Sequence, residues 1–133
     1  MITEYVLFNL PSGITRDEVV QGMRDVAPHW RANTELIRKT FVYDAAANQT
    51  GAFYLWPNRE AAERAHDEAW RQRVRDTYGS EPVIRYFDTP LVVDNALGQT
   101  IESPPRSAPW MEQALVAQAN GNYAIFTPGK AAT

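Results

Sequence analysis

The side chains best suited to chemistry lie on one face of a helical stretch that begins near residue 59. His66 and Arg73 are seven residues apart, so at 100° per residue they share a face, with Trp70 beside them. Three alanines lie on the same side: Ala62, Ala65 and Ala69. Inward-facing titratable groups need partners and often mark functional sites. The pattern therefore predicts a ligand pocket that contains His66 and Arg73.

Each of these side chains also has a purely structural interpretation. A single inward histidine is often a hydrogen-bonded core residue, and an arginine near a helix end can reach solvent or a carboxylate. Trp30 and Trp70 could be core residues, although an indole N–H also suits a ligand oxygen. Lys39 lies in a strand-like run, where it could form a salt bridge or anchor an anionic substrate. The residues alone leave these alternatives open.

The elements that must position these residues follow the order strand, helix, strand, strand, helix, strand. We predict strands over residues 2–10, 35–44, 51–56 and 82–88, and helices over residues 15–30 and 59–78. Thr15 and Glu18 form a capping box, Asn58 caps the second helix, and Gly79 follows its end. Trp30 belongs to the buried side if the first helix continues through Pro28. This order predicts an α+β fold, the ferredoxin-like βαββαβ arrangement with an antiparallel sheet.

Two helices can cover only one face of such a sheet, yet the strands carry apolar residues on both faces. In the second strand, for example, Phe41 and Val42 point to opposite sides. We therefore expect a homodimer that buries the second face. Because the composition changes after residue 90, we divide the chain into a ferredoxin-like domain over residues 1–97 and a C-terminal extension over residues 98–133. The apolar residues between 110 and 126 predict that this extension docks on the body or on the partner subunit.

Composition narrows the function classes. A chain of 133 residues that is 44% hydrophobic fits one domain, and a net charge of −3 predicts neither a nucleic-acid nor a membrane partner. The absence of cysteine excludes a thiolate nucleophile and a Cys-ligated metal, and two histidines leave little scope for a multi-His metal site. We find no phosphate-binding loop and no signal or membrane-spanning segment, so we expect a cytoplasmic protein.

The passage from the third strand into the second helix, YLWPNREAAERAH over residues 54–66, resembles that of the dimeric α/β-barrel superfamily, which includes the antibiotic-biosynthesis monooxygenases. The runs GAFYLW (residues 51–56) and VIRYFDTP (residues 83–90) are similar to the third and fourth strands of the YdhR-type monooxygenases. The resemblance spans about residues 1–97 and implies a dimeric α/β barrel.

The resemblance also implies an activity, oxygenation of an aromatic or phenolic small molecule without flavin, haem or metal. In such a scheme a phenol or activated C–H loses a proton, and the electron-rich anion passes an electron to O₂ in a dry pocket. The resemblance implies His66 as base or proton relay, with Arg73 and Trp70 stabilising the anion. The expected substrate contacts are Trp30, Trp70, Tyr54 and Lys39. The alternatives on the same fold are a non-catalytic small-molecule-binding protein and an isomerase.

Overall fold

The computed structural model describes residues 1–103, which form a four-stranded antiparallel sheet with helices on one face. The strands and helices are β1 (Ile2–Asn9), α1 (Arg16–Arg31), β2 (Arg38–Asp44), β3 (Gln49–Trp56), α2 (Arg59–Ala65), α3 (Glu68–Tyr78), β4 (Val83–Asp88), β5 (Leu91–Asp94) and β6 (Gln99–Glu102). The sheet order is β2-β3-β1-β4, and every neighbouring pair is antiparallel. This order confirms the predicted ferredoxin-like fold class.

The predicted helix ends are confirmed by capping contacts. The Thr15 hydroxyl accepts a hydrogen bond from the Glu18 amide at 3.2 Å, and the Asn58 side chain accepts one from the Ala61 amide at 2.9 Å. Gly79 follows α3 with φ of 66°, the left-handed region that favours glycine. These local signals therefore determine the start of α1, the start of α2 and the end of α3.

Helix α1 continues through Pro28 as far as Arg31. The condition for burying Trp30 is thus met, and its side chain is 7% exposed. Trp30 reaches the core from the last turn of the helix, where it contacts residues of the sheet.

The prediction of one helix over residues 59–78 is wrong, because the chain forms two helices there. His66 follows α2 with φ of −114° and ψ of 57°, and Asp67 then caps α3 by accepting a hydrogen bond from the Trp70 amide at 2.9 Å. The break changes the helical phase, so Ala69 is exposed and Val74 is buried instead. The physical reason is that aspartate is a strong N-cap residue, and at this position it outweighs the helical periodicity.

Strand register determines which side chains meet on the helix-covered face. Glu4 of β1 lies between Tyr54 of β3 and Tyr86 of β4, and Lys39 of β2 pairs with Tyr54. The buried core on this face consists of Val6, Trp30, Ala52, Tyr54, Trp56, Ala61 and Ala62. The face thus combines an apolar core with one buried carboxylate.

The second face of the sheet is only partly covered. Strands β5 and β6 form a hairpin that was not predicted from the sequence, and Ile101 packs against Met1 and Leu55 on this face. Large apolar side chains remain exposed on the sheet and on the hairpin: Phe53, Val83, Phe87, Leu91, Val93 and Leu97. The predicted docking of residues 110–126 lies outside the described residues.

No helix within residues 1–103 is both long and apolar enough to cross a membrane.

Candidate functional site

A cavity of about 680 Å³ lies between the helix-covered face of the sheet and helices α1 and α3. Its lining is mainly apolar, with Val6 and Ala52 from the sheet, Val19 and Met23 from α1, and Val74 from α3. Small-molecule sites typically enclose about 300–1,000 Å³. The cavity is therefore large enough for a polycyclic aromatic molecule.

Five of the six residues predicted for the site line this cavity: Trp30, Lys39, Tyr54, Trp70 and Arg73. They come from several different elements of the sheet and the helices, so only the folded chain brings them together. His66, the sixth, is not among the lining residues.

The Lys39 amine contacts three aromatic rings. Nζ lies 4.0 Å from the centroid of the Trp30 ring, 4.0 Å from that of Phe41 and 4.7 Å from that of Tyr54. Burial lowers the pKa of Lys39 from 10.5 to about 7, although the charge of Glu4 acts in the opposite direction. The cavity therefore contains an amine that is partly uncharged at neutral pH.

A buried polar cluster lies behind the cavity wall. The Glu4 carboxylate oxygen Oε1 accepts a hydrogen bond from Trp56 Nε1 at 3.0 Å and lies 2.7 Å from His66 Nδ1. Both the Glu4 and the His66 side chains are fully buried. When Glu4 is ionised its carboxylate can only accept, so Nδ1 is then the ring nitrogen that carries the hydrogen. The other ring nitrogen, Nε2, has no hydrogen-bond partner among residues 1–103.

The His66 ring supports the aromatic wall of the cavity. Its centroid lies 4.2 Å from that of Trp70, 4.6 Å from that of Tyr54 and 5.3 Å from that of Trp30. All three partners line the cavity, whereas His66 is 2% exposed. His66 is thus a hydrogen-bonded residue behind the wall, and its assignment as a base stays a prediction.

No family model and no curated protein sequence matches the chain. Solved structures do match it. A candidate antibiotic biosynthesis monooxygenase from Deinococcus radiodurans is similar over 71% of this chain and 97% of its own, with a TM-score of 0.55 and 10% identity. An antibiotic biosynthesis monooxygenase matches with a TM-score of 0.51 and 13% identity, over 67% of this chain and 98% of its own. Rv0793 from Mycobacterium tuberculosis matches with a TM-score of 0.51 and 11% identity, over 71% of this chain and 97% of its own.

The chain has the antibiotic-biosynthesis-monooxygenase-like fold. The superfamily resemblance predicted from residues 54–66 is confirmed at the level of fold, and the YdhR type stays a prediction. At 10–13% identity the likeness carries no residue roles, so those must come from the site itself.

Arg73 lies where the cavity meets solvent. Its side chain belongs to the lining, yet the residue is exposed on α3. A guanidinium at the opening of an apolar cavity suits an anionic or hydrogen-bond-accepting substituent of a ligand.

Glu4 is the buried polar residue of the site that was not predicted from the sequence. It occupies an inward position of β1, on the same face as Val6 and Phe8. An acidic residue at such a position requires buried partners, and this was the signal available in the sequence. Burial and the nearby Glu4 carboxylate also raise the pKa of Tyr86 to about 12 and that of Tyr54 further, so both phenols stay protonated at neutral pH.

Within residues 1–103, no three His, Cys, Asp or Glu side chains are grouped so that they could hold a metal ion.

We expect Glu4→Gln to lower the free energy of unfolding by about 1–2 kcal/mol, because it replaces two charge-assisted hydrogen bonds with neutral ones. Urea denaturation measures the change. The exposed substitution Glu60→Gln is the control, expected within about 0.5 kcal/mol of the wild type. A Glu4→Gln variant as stable as this control would show that the cluster contributes little.

Proposed function

We propose that this protein is a cofactor-independent monooxygenase that acts on an aromatic or phenolic small molecule. The observation that carries the proposal is the Lys39 amine, surrounded by aromatic rings in a cavity that is otherwise mainly apolar. The fold adds support, because several structural neighbours are named as monooxygenases.

In the proposed reaction the uncharged Lys39 amine takes a proton from the bound phenol or from an activated CH₂ group. A base whose pKa lies near 7 suits this step at neutral pH. The anion passes one electron to O₂, and the two radicals combine to form a C–O bond. The hydroperoxide then loses water, so a CH₂ group and one O₂ give a carbonyl group and one H₂O.

The other cavity residues have supporting roles in this proposal. Trp30 and Trp70 hold the aromatic rings of the substrate, and Arg73 pairs with a negatively charged oxygen near the opening. We propose Lys39 rather than His66 as the base, because Lys39 lines the cavity and His66 does not. His66 then acts as a positioning residue for the Trp70 and Tyr54 rings.

Oxygen uptake with a panel of electron-rich polycyclic phenols tests the proposal. We expect the purified protein to consume one O₂ per substrate oxidised, without added flavin, haem or metal and in the presence of a chelator. Binding of the panel without any uptake would contradict oxygenation and favour the small-molecule-binding alternative. Isomerisation of a lactone-like substrate without uptake would favour the isomerase.

We further propose that the protein is a homodimer that buries the second sheet face, since Phe53 and Phe87 are exposed there. Phe53→Glu is expected to convert the dimer to a monomer in sedimentation at micromolar concentration, because it places a charge in the apolar interface. Arg24→Glu, exposed on α1, is the control and should leave the mass unchanged. A wild-type protein that sediments as a monomer would contradict the proposal. The cytoplasmic location stays a prediction.

A further inference from the structure

Lys39 differs chemically from the other cationic side chains of the fold. The whole chain has two lysines, Lys39 and Lys130, whereas every other basic side chain apart from the histidines is an arginine. A guanidinium stays protonated and does not act as a nucleophile in proteins, but an amine can do so once it loses its proton. The cavity is therefore lined by the one lysine that lies within residues 1–103.

In the part of the chain that the structure describes, the Lys39 amine lies among aromatic rings rather than in an ion pair. Within residues 1–103, no carboxylate oxygen lies within 4.0 Å of its Nζ atom. Nζ instead contacts the faces of the Trp30, Phe41 and Tyr54 rings. The same rings line the cavity, so a flat ligand held against this wall would have a substituent near the amine.

We propose that Lys39 captures an aromatic aldehyde or ketone in the cavity as a reversible Schiff base. The Nζ lone pair attacks the carbonyl carbon, and the C=O π electrons move to the oxygen, which takes a proton. The resulting carbinolamine loses its hydroxyl group and the remaining nitrogen proton as water, which leaves a C=N bond. Amine and carbonyl thus give imine and water, with no oxidant or reductant.

The capture depends on pH, because only the uncharged amine attacks. Burial lowers the pKa of Lys39 to about 7, so the reactive fraction increases as the pH rises through this value. The titratable groups that line the cavity with Lys39 are Glu18 and His29 from α1, Tyr54 from β3, and Arg73 and Tyr78 from α3, and the Glu4 carboxylate of β1 acts on the amine through its charge. Glu4 raises the pKa of Lys39 and burial lowers it, with burial the larger cause.

Reductive trapping tests the proposal on the full chain. The protein is incubated at pH 7 with 2-hydroxy-1-naphthaldehyde and cyanoborohydride, and the adduct is mapped by peptide mass spectrometry. We expect the adduct on Lys39 to exceed that on Lys130 by at least about tenfold, because an ordinary lysine with a pKa of about 10.4 is almost fully protonated at pH 7. The excess of the Lys39 adduct over the Lys130 adduct should decrease at pH 10, because an ordinary lysine is then also partly unprotonated.

Two variants and a competitor sharpen this test. Lys39→Arg should lose the adduct while keeping its circular dichroism spectrum, and Lys130→Arg should keep the adduct. 2-Naphthol, which has a similar shape and no carbonyl group, should suppress labelling of Lys39 but not of Lys130 or the N-terminal amine. Equal labelling of all amines, or no labelling of Lys39, would overturn the inference.

The amine capture would occur in the same cavity as the proposed function but does not require oxygenation. Adduct formation on Lys39 without oxygen uptake on the phenol panel would support the amine capture and contradict the monooxygenase. Oxygen uptake without an adduct on Lys39 would support the monooxygenase and contradict the amine capture.

Discussion

Lys39→Met is expected to lower kcat/KM for oxygen-dependent turnover by about 10²-fold or more, because it removes the proposed general base. Methionine has a similar length and is apolar, so it should preserve the contacts with Trp30 and Phe41. The measurement is initial oxygen uptake against substrate concentration. Lys130→Met is the matched control, since it removes the other lysine and should leave turnover unchanged. A Lys39→Met variant with wild-type turnover would remove this residue from the mechanism.

The pH dependence of kcat/KM is a second test of Lys39 as the general base. For the wild type, kcat/KM should increase with pH through about 7, because the Lys39 amine must be unprotonated to accept a proton. The residual activity of Lys39→Met should not show this increase near pH 7. If Lys39 had a purely structural role, its substitution would lower activity but would leave the increase of kcat/KM near pH 7 in place.

The same substitution should change stability in a pH-dependent way. The pKa of Lys39 is about 7 in the folded chain, against 10.5 for an unperturbed lysine, so between these values the unfolded chain binds more protons. Wild-type stability therefore gains a contribution as the pH rises from 7 towards 10.5. At pH 6 the folded wild type buries a protonated amine, whereas Lys39→Met does not, so the variant should be more stable than the wild type by about 1–3 kcal/mol in urea denaturation. Equal stability at pH 6 would contradict the lowered pKa.

Gly51→Ala is expected to lower the free energy of unfolding by about 3 kcal/mol or more, the cost of a severe steric conflict in the core. Gly51 lies in β3 beside Leu7 of β1, and a Cβ atom at this position would lie 1.8 Å from the Val6 carbonyl oxygen. That oxygen belongs to a central strand, so it cannot move away without disturbing the sheet.

Thermal and urea denaturation measure this effect, with Gly22→Ala as the matched control. Gly22 lies in α1, where a Cβ atom would meet nothing within 4 Å, so alanine there should stabilise the protein by up to about 1 kcal/mol. A Gly51→Ala variant with wild-type stability would contradict the close approach of β1 and β3.

The parts of the fold that were predictable are those with local causes. Thr15 and Asn58 cap their helices through hydrogen bonds to amides three residues ahead, so their neighbours in sequence are sufficient to identify them. The break at Asp67 was missed because an N-cap signal competed with helical periodicity in the same stretch. The β5–β6 hairpin was missed because its strands have only four residues each, too few for a clear alternation.

The site was harder to predict, because its chemistry depends on contacts between distant residues. Lys39 was a candidate ligand contact, but its three aromatic neighbours come from α1, β2 and β3, and sequence spacing does not show that they surround the amine. His66 was expected to face the ligand, whereas its partner Glu4 is 62 residues away and holds it behind the wall. The pairing of Glu4 with His66 is set by tertiary packing, which local sequence does not encode.

The most direct test of Lys39 as a neutral amine in a ligand cavity is an NMR titration of the full chain labelled with ¹³C at lysine Cε. The chain has two lysines, so two side-chain signals are expected, and Lys39→Arg assigns them. We predict that the Lys39 signal titrates with a midpoint of about 7 and shifts when 2-naphthol is added, while the Lys130 signal does not respond to the ligand. Titration of the Lys39 signal near pH 10, with no response to the aromatic ligand, would contradict this role of Lys39.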